Sequence, residues 1–71
     1  MSERVSVQSS TIAAISYDSS TEILVVEFLN GSSYQYLNVS QFTFDEFKAA
    51  PSPGRFLDGQ IKGQYPYEKI G

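Results

Sequence analysis

EILVVEFLNGSSYQYLNV, residues 22–39, is the stretch that decides the fold. Its first half is rich in β-branched residues and predicts a strand, and its second half predicts another strand. Asn30-Gly31 between them is typical of a hairpin turn, so the two strands should pair antiparallel. Tyr34 and Tyr36 lie two residues apart, and in a strand both rings project from the same face. The rings either fill a small core or form a stacking surface for a ligand.

The length of the hairpin loop decides which sheet face the two tyrosines join. In a two-residue turn Tyr34 lies opposite Glu27, whereas in a three-residue loop that ends at a left-handed Gly31 it lies opposite Val26. This shift of one residue moves every side chain of the strand to the other face. We favour the three-residue loop because it places Tyr34 and Tyr36 on the more uniformly apolar face, where the helices should pack.

Two interpretations of the tyrosine pair stay open at this point. In the first, Tyr34 and Tyr36 are core residues whose hydroxyl groups reach the rim, and in the second they stack directly on a ligand. The opposite face of the sheet would carry four apolar side chains: Ile23, Val25, Leu29 and Leu37. A face of this kind should be covered, either by the C-terminal tail or by a second copy of the chain in a homo-oligomer.

The N-terminal part of the chain adds one more strand. Residues 1–9 lack periodicity and should form a flexible N-terminal arm, which leaves residues 10–71 as a single domain. Residues 11–18, TIAAISYD, predict a strand with an irregularity at the alanines, and the turn cluster DSS follows at residues 18–20.

Two short helices should follow the strands. Ser40 is a suitable N-cap for the first helix, which Pro51 ends. Ser52-Pro53 opens the second helix, and Gly63 ends it. The predicted fold class is therefore α+β, with a three-stranded antiparallel sheet followed by two short helices in the order β-β-β-α-α.

The composition limits the chemistry that the chain can perform. Its 71 residues include no cysteine and no histidine, which excludes disulfides, the usual zinc ligands and nucleophiles activated by histidine. Asp45 and Glu46 are neighbours that point apart on a helix, so they do not form an acid–base pair. The sequence contains no phosphate-binding glycine motif and no metal-ligand cluster. We therefore expect a protein that is not an enzyme and that uses no cofactor or metal.

The charge is unevenly distributed along the chain. The net charge is −3 and the pI is about 4.6, which argues against a general binder of long nucleic acid. Residues 48–71 nevertheless carry four basic against two acidic side chains, so an anion would meet this third of the chain. The first ten residues lack the features of a signal peptide, and no apolar run is long enough to cross a membrane. We expect a cytoplasmic protein, in the host cytoplasm if the chain is viral.

SPGRF, residues 52–56, is the best candidate for an anion site. A helix N-terminus offers free backbone N–H groups, Gly54 allows close approach, and Arg55 adds a bidentate contact. The alternative is an ordinary capped helix with a solvated ion network. Tyr65 and Tyr67 either pack against the sheet or join a nucleotide pocket. The candidate ligand-binding residues are Tyr34, Tyr36, Ser52, Gly54, Arg55, Lys62, Tyr65 and Tyr67.

Four stretches of the chain together resemble the KTSC domain. They are SSTIAAISYD, LVVEFLNGSSYQYLNV, AAPSPGRFLDGQIKG and YPY. The family is named for the C-terminus of some lysyl-tRNA synthetases and also occurs as free-standing bacterial and phage proteins. YQY at residues 34–36 resembles the family's YxY mark, and residues 52–62 resemble its second helix. Ser40 stands where the family commonly has proline, and Asp58 stands where it often has asparagine, which puts a carboxylate beside the basic helix face.

The resemblance implies a small α+β fold, RNA binding and no established catalysis. Together with the aromatic residues and the basic C-terminal third, it leads us to expect a small non-enzymatic binding module for nucleotides or short RNA. The partner would be a phosphorylated small molecule or a short RNA, and a phage-encoded protein that sequesters a nucleotide signal is one form of such a module. The alternative is a protein-interaction or self-assembling module without a nucleotide ligand.

Overall fold

A computed structural model describes residues 2–71 as five antiparallel strands with two helices on one face of the sheet. In chain order the elements are β1 Ser2–Ser6, β2 Ile12–Asp18, β3 Ile23–Phe28, β4 Ser33–Tyr36, α1 Gln41–Ala49, α2 Pro53–Phe56 and β5 Tyr67–Lys69. The strands follow one another in the sheet in the order β1-β2-β3-β4-β5. Both helices lie in the connection between β4 and β5. Among residues 2–71, no helix has the length and apolar character that crossing a bilayer requires.

The α+β class is confirmed, but the prediction of three strands is wrong because a strand is added at each edge of the sheet. Residues 2–6 of the predicted flexible arm pair with β2; Met1 lies outside the described residues. SERVS contains a single apolar residue, so local sequence gives little sign of a strand. Its pairing is supported from a distance by ion pairs of Arg4 with Glu27 and of Glu3 with Lys48.

The second missed strand, β5, is only three residues long and fully exposed. It pairs antiparallel with β4 through Tyr67 opposite Tyr36 and Lys69 opposite Tyr34. The backbone of Ser33 also exchanges hydrogen bonds with Gly71. A strand this short has no periodicity that sequence reasoning can detect, and its neighbour in the sheet determines its conformation.

The hairpin between β3 and β4 has the favoured three-residue loop. Leu24 lies opposite Tyr36 and Val26 opposite Tyr34. The N–H of Phe28 donates to the carbonyl of Ser32. Gly31 has φ 93°, the left-handed conformation that the loop requires. The register of the two tyrosines is therefore confirmed, and both lie on the face that meets the helices.

The predicted irregularity in β2 and the predicted N-cap of α1 are also confirmed. The register of β2 against β3 shifts between Ile12 and Ala14, as in a β-bulge. At α1, the Ser40 hydroxyl accepts a hydrogen bond from the N–H of Thr43 at 3.2 Å, which satisfies one of the free donors of the helix end. In the turn after β2, Ser20 donates from its backbone and its hydroxyl to the Asp18 carboxylate, and these bonds lower the pKa of Asp18.

The second helix changes geometry along its length. α2 begins at Pro53 as predicted, and a π-helical turn, Leu57–Ile61, continues it. The N–H of Lys62 closes this turn on the carbonyl of Leu57. Gly63 follows with φ 80°, so it reverses the chain where the sequence predicts that the helix ends. The wide turn directs Lys62 and Gly63 toward the β4 side of the sheet, where they line a cleft.

The core lies between the helices and the centre of the sheet. Its fully buried side chains include Phe44 and Phe47 of α1, Leu24 and Val26 of β3, and Ile61. Burying a side chain of this size contributes about 1.5–3 kcal/mol, so these few residues supply much of the stability of a 71-residue domain.

The opposite face of the sheet has an open, mixed surface. Ile23 and Val25 are half-buried and Leu29 is exposed. Arg4 makes two hydrogen bonds to the Glu27 carboxylate, at 2.9 and 3.1 Å, across this surface. One of the two predicted arrangements, in which the C-terminal tail covers this face, is wrong. The tail forms β5 and extends the sheet beside β4 instead. Cover by a second copy of the chain remains a prediction.

Candidate functional site

Four aromatic side chains and a lysine surround a cleft on the β4–β5 side of the helix-covered face. The cleft has a volume of about 520 Å³ and is lined by Phe28, Tyr34, Tyr36, Lys62, Gly63 and Tyr67. We call it the aromatic cleft. It is within the size range of small-molecule sites, roughly 300–1,000 Å³.

The strand register brings these rings together. Tyr36 and Tyr67 are direct partners across β4 and β5, with ring centroids 5.8 Å apart, and Tyr34 lies 6.0 Å from Tyr67. Phe28 meets Tyr34 edge-to-face at 5.8 Å. These distances are typical of favourable aromatic pairs, so each ring holds its neighbour in place. The result is a row of rings across three adjacent strands.

The two tyrosines of the YQY stretch have different environments. Tyr36 is 3% exposed and belongs to the core, whereas Tyr34 is half-buried at the edge of the core. Burial is the main cause of the raised pKa of Tyr36. Both rings also line the cleft. The core interpretation therefore holds for Tyr36, while Tyr34 is both a packing residue and a cleft wall.

Tyr67 is the most open wall of the cleft. It is 63% exposed although it lies beside the other two tyrosines. One face of an aromatic ring held in this way is available to a flat ligand.

A second, smaller cleft adjoins the first. Its volume is about 330 Å³, and its lining residues are Thr11, Phe28, Asn30, Gly54, Leu57, Asp58 and Lys62. We call it the polar cleft because a hydroxyl, an amide and a carboxylate line it. Phe28 and Lys62 line both clefts, so they form the boundary between them.

Two lysines provide positive charge beside the rings. Lys62 pairs with Asp58 at 3.4 Å, and both side chains are largely exposed, so this pair is weak and easily exchanged. Lys69 lies opposite Tyr34 in the sheet, which places the two side chains on the same face. Within residues 2–71 Lys69 makes no ion pair. Lys62, whose ion pair is weak, and Lys69 can therefore both meet an anion beside the rings.

The structure brings five of the eight predicted site residues to these two clefts. Tyr34, Tyr36, Lys62 and Tyr67 line the aromatic cleft, and Gly54 lines the polar cleft. A Cβ added at Gly54 would meet the Thr11 hydroxyl only at 3.7 Å. The glycine therefore does not prevent a clash here, but it leaves the polar cleft open.

The other three predicted residues lie elsewhere. The Ser52 side chain makes no capping hydrogen bond, and neither Ser52 nor Arg55 lines either cleft. The Tyr65 hydroxyl lies 3.4 Å from that of Thr43 on α1, and the half-buried ring packs against the core without lining either cleft. Pro53 is buried at the start of a four-residue helix, so the geometry gives little support to an anion site at SPGRF.

Sequence reasoning missed Phe28, Thr11 and Asn30 as cleft residues. Phe28 could have been found, because the three-residue loop that places Tyr34 on one face places Phe28 on the same face. Thr11 and Asn30 lie in loops that only the tertiary fold brings near Gly54. The described part of the chain contains no cluster of three or more acidic, cysteine or histidine side chains that would hold a metal ion.

Comparison with known proteins identifies relatives of two kinds. A protein of Tsukamurella paurometabola is 41% identical over 59 residues, which make up 83% of this chain and 88% of that protein. A lysine–tRNA ligase of Nostoc sp. is 38% identical over 63 residues, which make up 89% of this chain. The same segment is only 11% of the ligase, so the relationship concerns one small part of that enzyme.

A solved structure and a family model match as well. The crystal structure of a KTSC domain protein from Yersinia pestis superimposes with a TM-score of 0.91, at 42% sequence identity and with full coverage of both chains. The model of the KTSC domain matches residues 8–65. The chain therefore belongs to the KTSC domain family.

Proposed function

We propose that this protein is a non-enzymatic binding module that holds a nucleotide or a short RNA in the aromatic cleft. One observation carries the proposal: Phe28, Tyr34, Tyr36 and Tyr67 line a single cleft with Lys62 at its boundary. Bases stack on aromatic rings, and lysine meets phosphate as a point charge. The proposal places this binding in the cytoplasm.

The energetics favour a short ligand over a long one. Stacking of a base on an aromatic side chain contributes about 1–3 kcal/mol as measured by alanine substitution. Lys62 and Lys69 supply two positive charges beside the rings, but the whole chain has a net charge of −3. Binding of long nucleic acid depends on many phosphate contacts, which an acidic protein does not provide. A ligand with one or a few phosphates matches the site better.

The relatives support a ligand of this class. A segment similar to this chain forms part of a lysine–tRNA ligase, an enzyme whose name includes an RNA substrate. In this chain the absence of histidine and cysteine favours holding a ligand unchanged over converting it. Sequestering a nucleotide signal and tethering an RNA end are both forms of such binding.

The test is calorimetric titration with AMP, GMP, CMP, UMP, a cyclic mononucleotide and a four-nucleotide RNA. Tyr67→Ala should weaken the binding of the best ligand by about 1–3 kcal/mol, or roughly five- to 150-fold. Tyr67→Phe should retain most of the affinity, because it keeps the ring. Phe42→Ala is the matched control, since Phe42 is an exposed ring on α1 that lines neither cleft.

Two results would contradict the proposal. If no member of the panel binds, the alternative of a protein-interaction or self-assembling module takes its place. If a nucleotide binds but Tyr67→Ala and Phe42→Ala have equal effects, the ligand does not stack in the aromatic cleft.

A further inference from the structure

The aromatic and polar clefts adjoin, and their chemistry differs in a defined order. Three tyrosines line only the first, Lys62 and Phe28 form the boundary, and Thr11, Asn30 and Asp58 line the second together with the apolar Leu57. We propose that the two clefts together form one site for a dinucleotide. One base stacks in the aromatic cleft, the linking phosphate lies at Lys62, and the second nucleoside occupies the polar cleft. This inference rests on the proposed function and specifies the ligand of the same site.

The polar cleft suits a neutral group that both donates and accepts hydrogen bonds. The side-chain oxygen of Asn30 already accepts from the N–H of Ser32 at 2.9 Å, so its amide N–H groups are left to donate. The Asp58 carboxylate is 71% exposed and accepts. A ribose or the edge of a base offers matching donors and acceptors. A second phosphate at this place would be repelled by Asp58, so the polar cleft suits a nucleoside better than a group that carries its own phosphate.

Lys62 is placed to bind one phosphate between the two nucleosides. It borders both clefts, and among residues 2–71 its one ion pair is with the exposed Asp58, at 3.4 Å. Exchanging this weak pair for a phosphodiester costs little. A mononucleotide would occupy one cleft and Lys62, and it would leave the other cleft to water. The aromatic cleft is the larger of the two, at about 520 Å³ against about 330 Å³ for the polar cleft.

The experiment compares adenosine, AMP and the dinucleoside monophosphate ApA by calorimetry on the full chain. ApA should bind at least tenfold more tightly than AMP, and AMP more tightly than adenosine. Gly54→Leu should fill the polar cleft and reduce the affinity for ApA to that for AMP, with the affinity for AMP unchanged. Gly59→Leu is the matched control, because Gly59 has no atom within 4 Å of its Cβ position and lines neither cleft.

Asp58→Ala gives a second test in a variant whose fold should be unaffected, since the side chain is exposed. The substitution frees Lys62 for the phosphate of AMP and for that of ApA, so this effect is common to both ligands. Only ApA also loses the Asp58 carboxylate as a hydrogen-bond acceptor in the polar cleft. The ratio of the ApA affinity to the AMP affinity should therefore fall. Equal affinities of AMP and ApA for the unchanged protein would overturn the dinucleotide site but leave the proposed function intact. An equal loss of affinity for AMP and for ApA in Gly54→Leu would overturn the dinucleotide site as well. Failure of all three compounds to bind would overturn the dinucleotide site, and the proposed function falls with it only if the whole mononucleotide and RNA panel fails to bind.

Discussion

Tyr17 and Tyr67 lie on the same face of the same sheet, but their surroundings are opposite. Tyr17 is 3% exposed, stacks on Phe44 with ring centroids 5.0 Å apart, and donates its hydroxyl hydrogen to the carbonyl of Val39. Tyr67 is 63% exposed, and its ring makes tilted contacts with those of Tyr34 and Tyr36. The difference is position: Tyr17 lies under α1, whereas Tyr67 lies on β5 at the edge of the sheet, where its ring stays largely exposed.

This contrast shows how a small domain divides its aromatic residues. A ring under a helix loses its contact with water and contributes to stability. A ring beyond the helices is held by its neighbours and keeps one face free for a ligand. With a 71-residue chain the core is small, so the central rings should govern folding and the outer rings should govern binding. Three measurements test that division, and a fourth provides a reference at the far edge of the sheet.

The largest effect is expected from Phe47→Ala at the centre. Phe47 is fully buried and stacks on Phe56 at 5.0 Å. The substitution should lower the free energy of unfolding by about 3–5 kcal/mol, which is a large part of the total for a domain of this size. Urea unfolding followed by circular dichroism measures the change. Phe42→Ala on the same helix should stay within about 0.5 kcal/mol, and a similar loss in both variants would contradict the division.

Tyr17→Phe should have an intermediate effect. It leaves the buried carbonyl of Val39 without its donor, at a cost of about 1–3 kcal/mol. Burial, followed by the charges of Glu22, Asp45 and Asp18, raises the pKa of Tyr17. A raised pKa means that its contribution to stability is present below the unfolded pKa of about 10 and is lost as the pH rises through the folded value.

The alkaline dependence provides the measurement for Tyr17. Urea midpoints at pH 8 and pH 11 should differ more in the unchanged protein than in Tyr17→Phe. Tyr36 retains a raised pKa in the variant, so part of the dependence should remain. If the two proteins lose stability in parallel, the Tyr17 phenol is not coupled to folding as the structure indicates.

Tyr67→Ala should cost little stability on the uncovered side. The ring loses tilted contacts with Tyr34 and Tyr36, each a modest interaction, so the free energy of unfolding should fall by about 1 kcal/mol. Thermal melting of the unliganded protein measures it. A loss as large as that of Phe47→Ala would show that the β4–β5 side is part of the folding core, and it would break the comparison.

The smallest effect is expected at the far edge of the sheet, from Arg4→Ala. Its hydrogen bonds and charge lower the pKa of Glu27, so this pair contributes stability above the unfolded pKa of Glu27 and loses it as the pH falls. Melting temperatures at pH 7 and pH 3.5 should differ less in Arg4→Ala than in the unchanged protein. Arg55→Ala, which removes a cation without an ion pair in residues 2–71, should leave the difference unchanged.

Local chemistry explains which parts of the fold and the candidate site could be predicted. The left-handed Gly31 sets the loop length, and the loop length sets the register of Tyr34 and Tyr36. Ser40 and Gly63 mark helix ends through hydrogen bonding and backbone freedom within a few residues. By contrast, SPGRF carries strong local signals for an anion site, yet Ser52 and Arg55 lie outside both clefts.

The sequence by itself determined the central hairpin, the bulge in β2, the start of both helices and the face on which the tyrosines lie. Only the tertiary structure decided the two edge strands and the composition of the clefts. The physical reason is the sequence separation of the interacting residues. Turns, caps and hairpin registers depend on residues close in sequence, whereas an edge strand takes its conformation from the strand beside it in the sheet. Tyr67 and Lys69 reach Tyr34 and Tyr36 only because β5 returns to the sheet after both helices. Thr11 and Gly54 likewise share a cleft only once the helices have packed on the sheet.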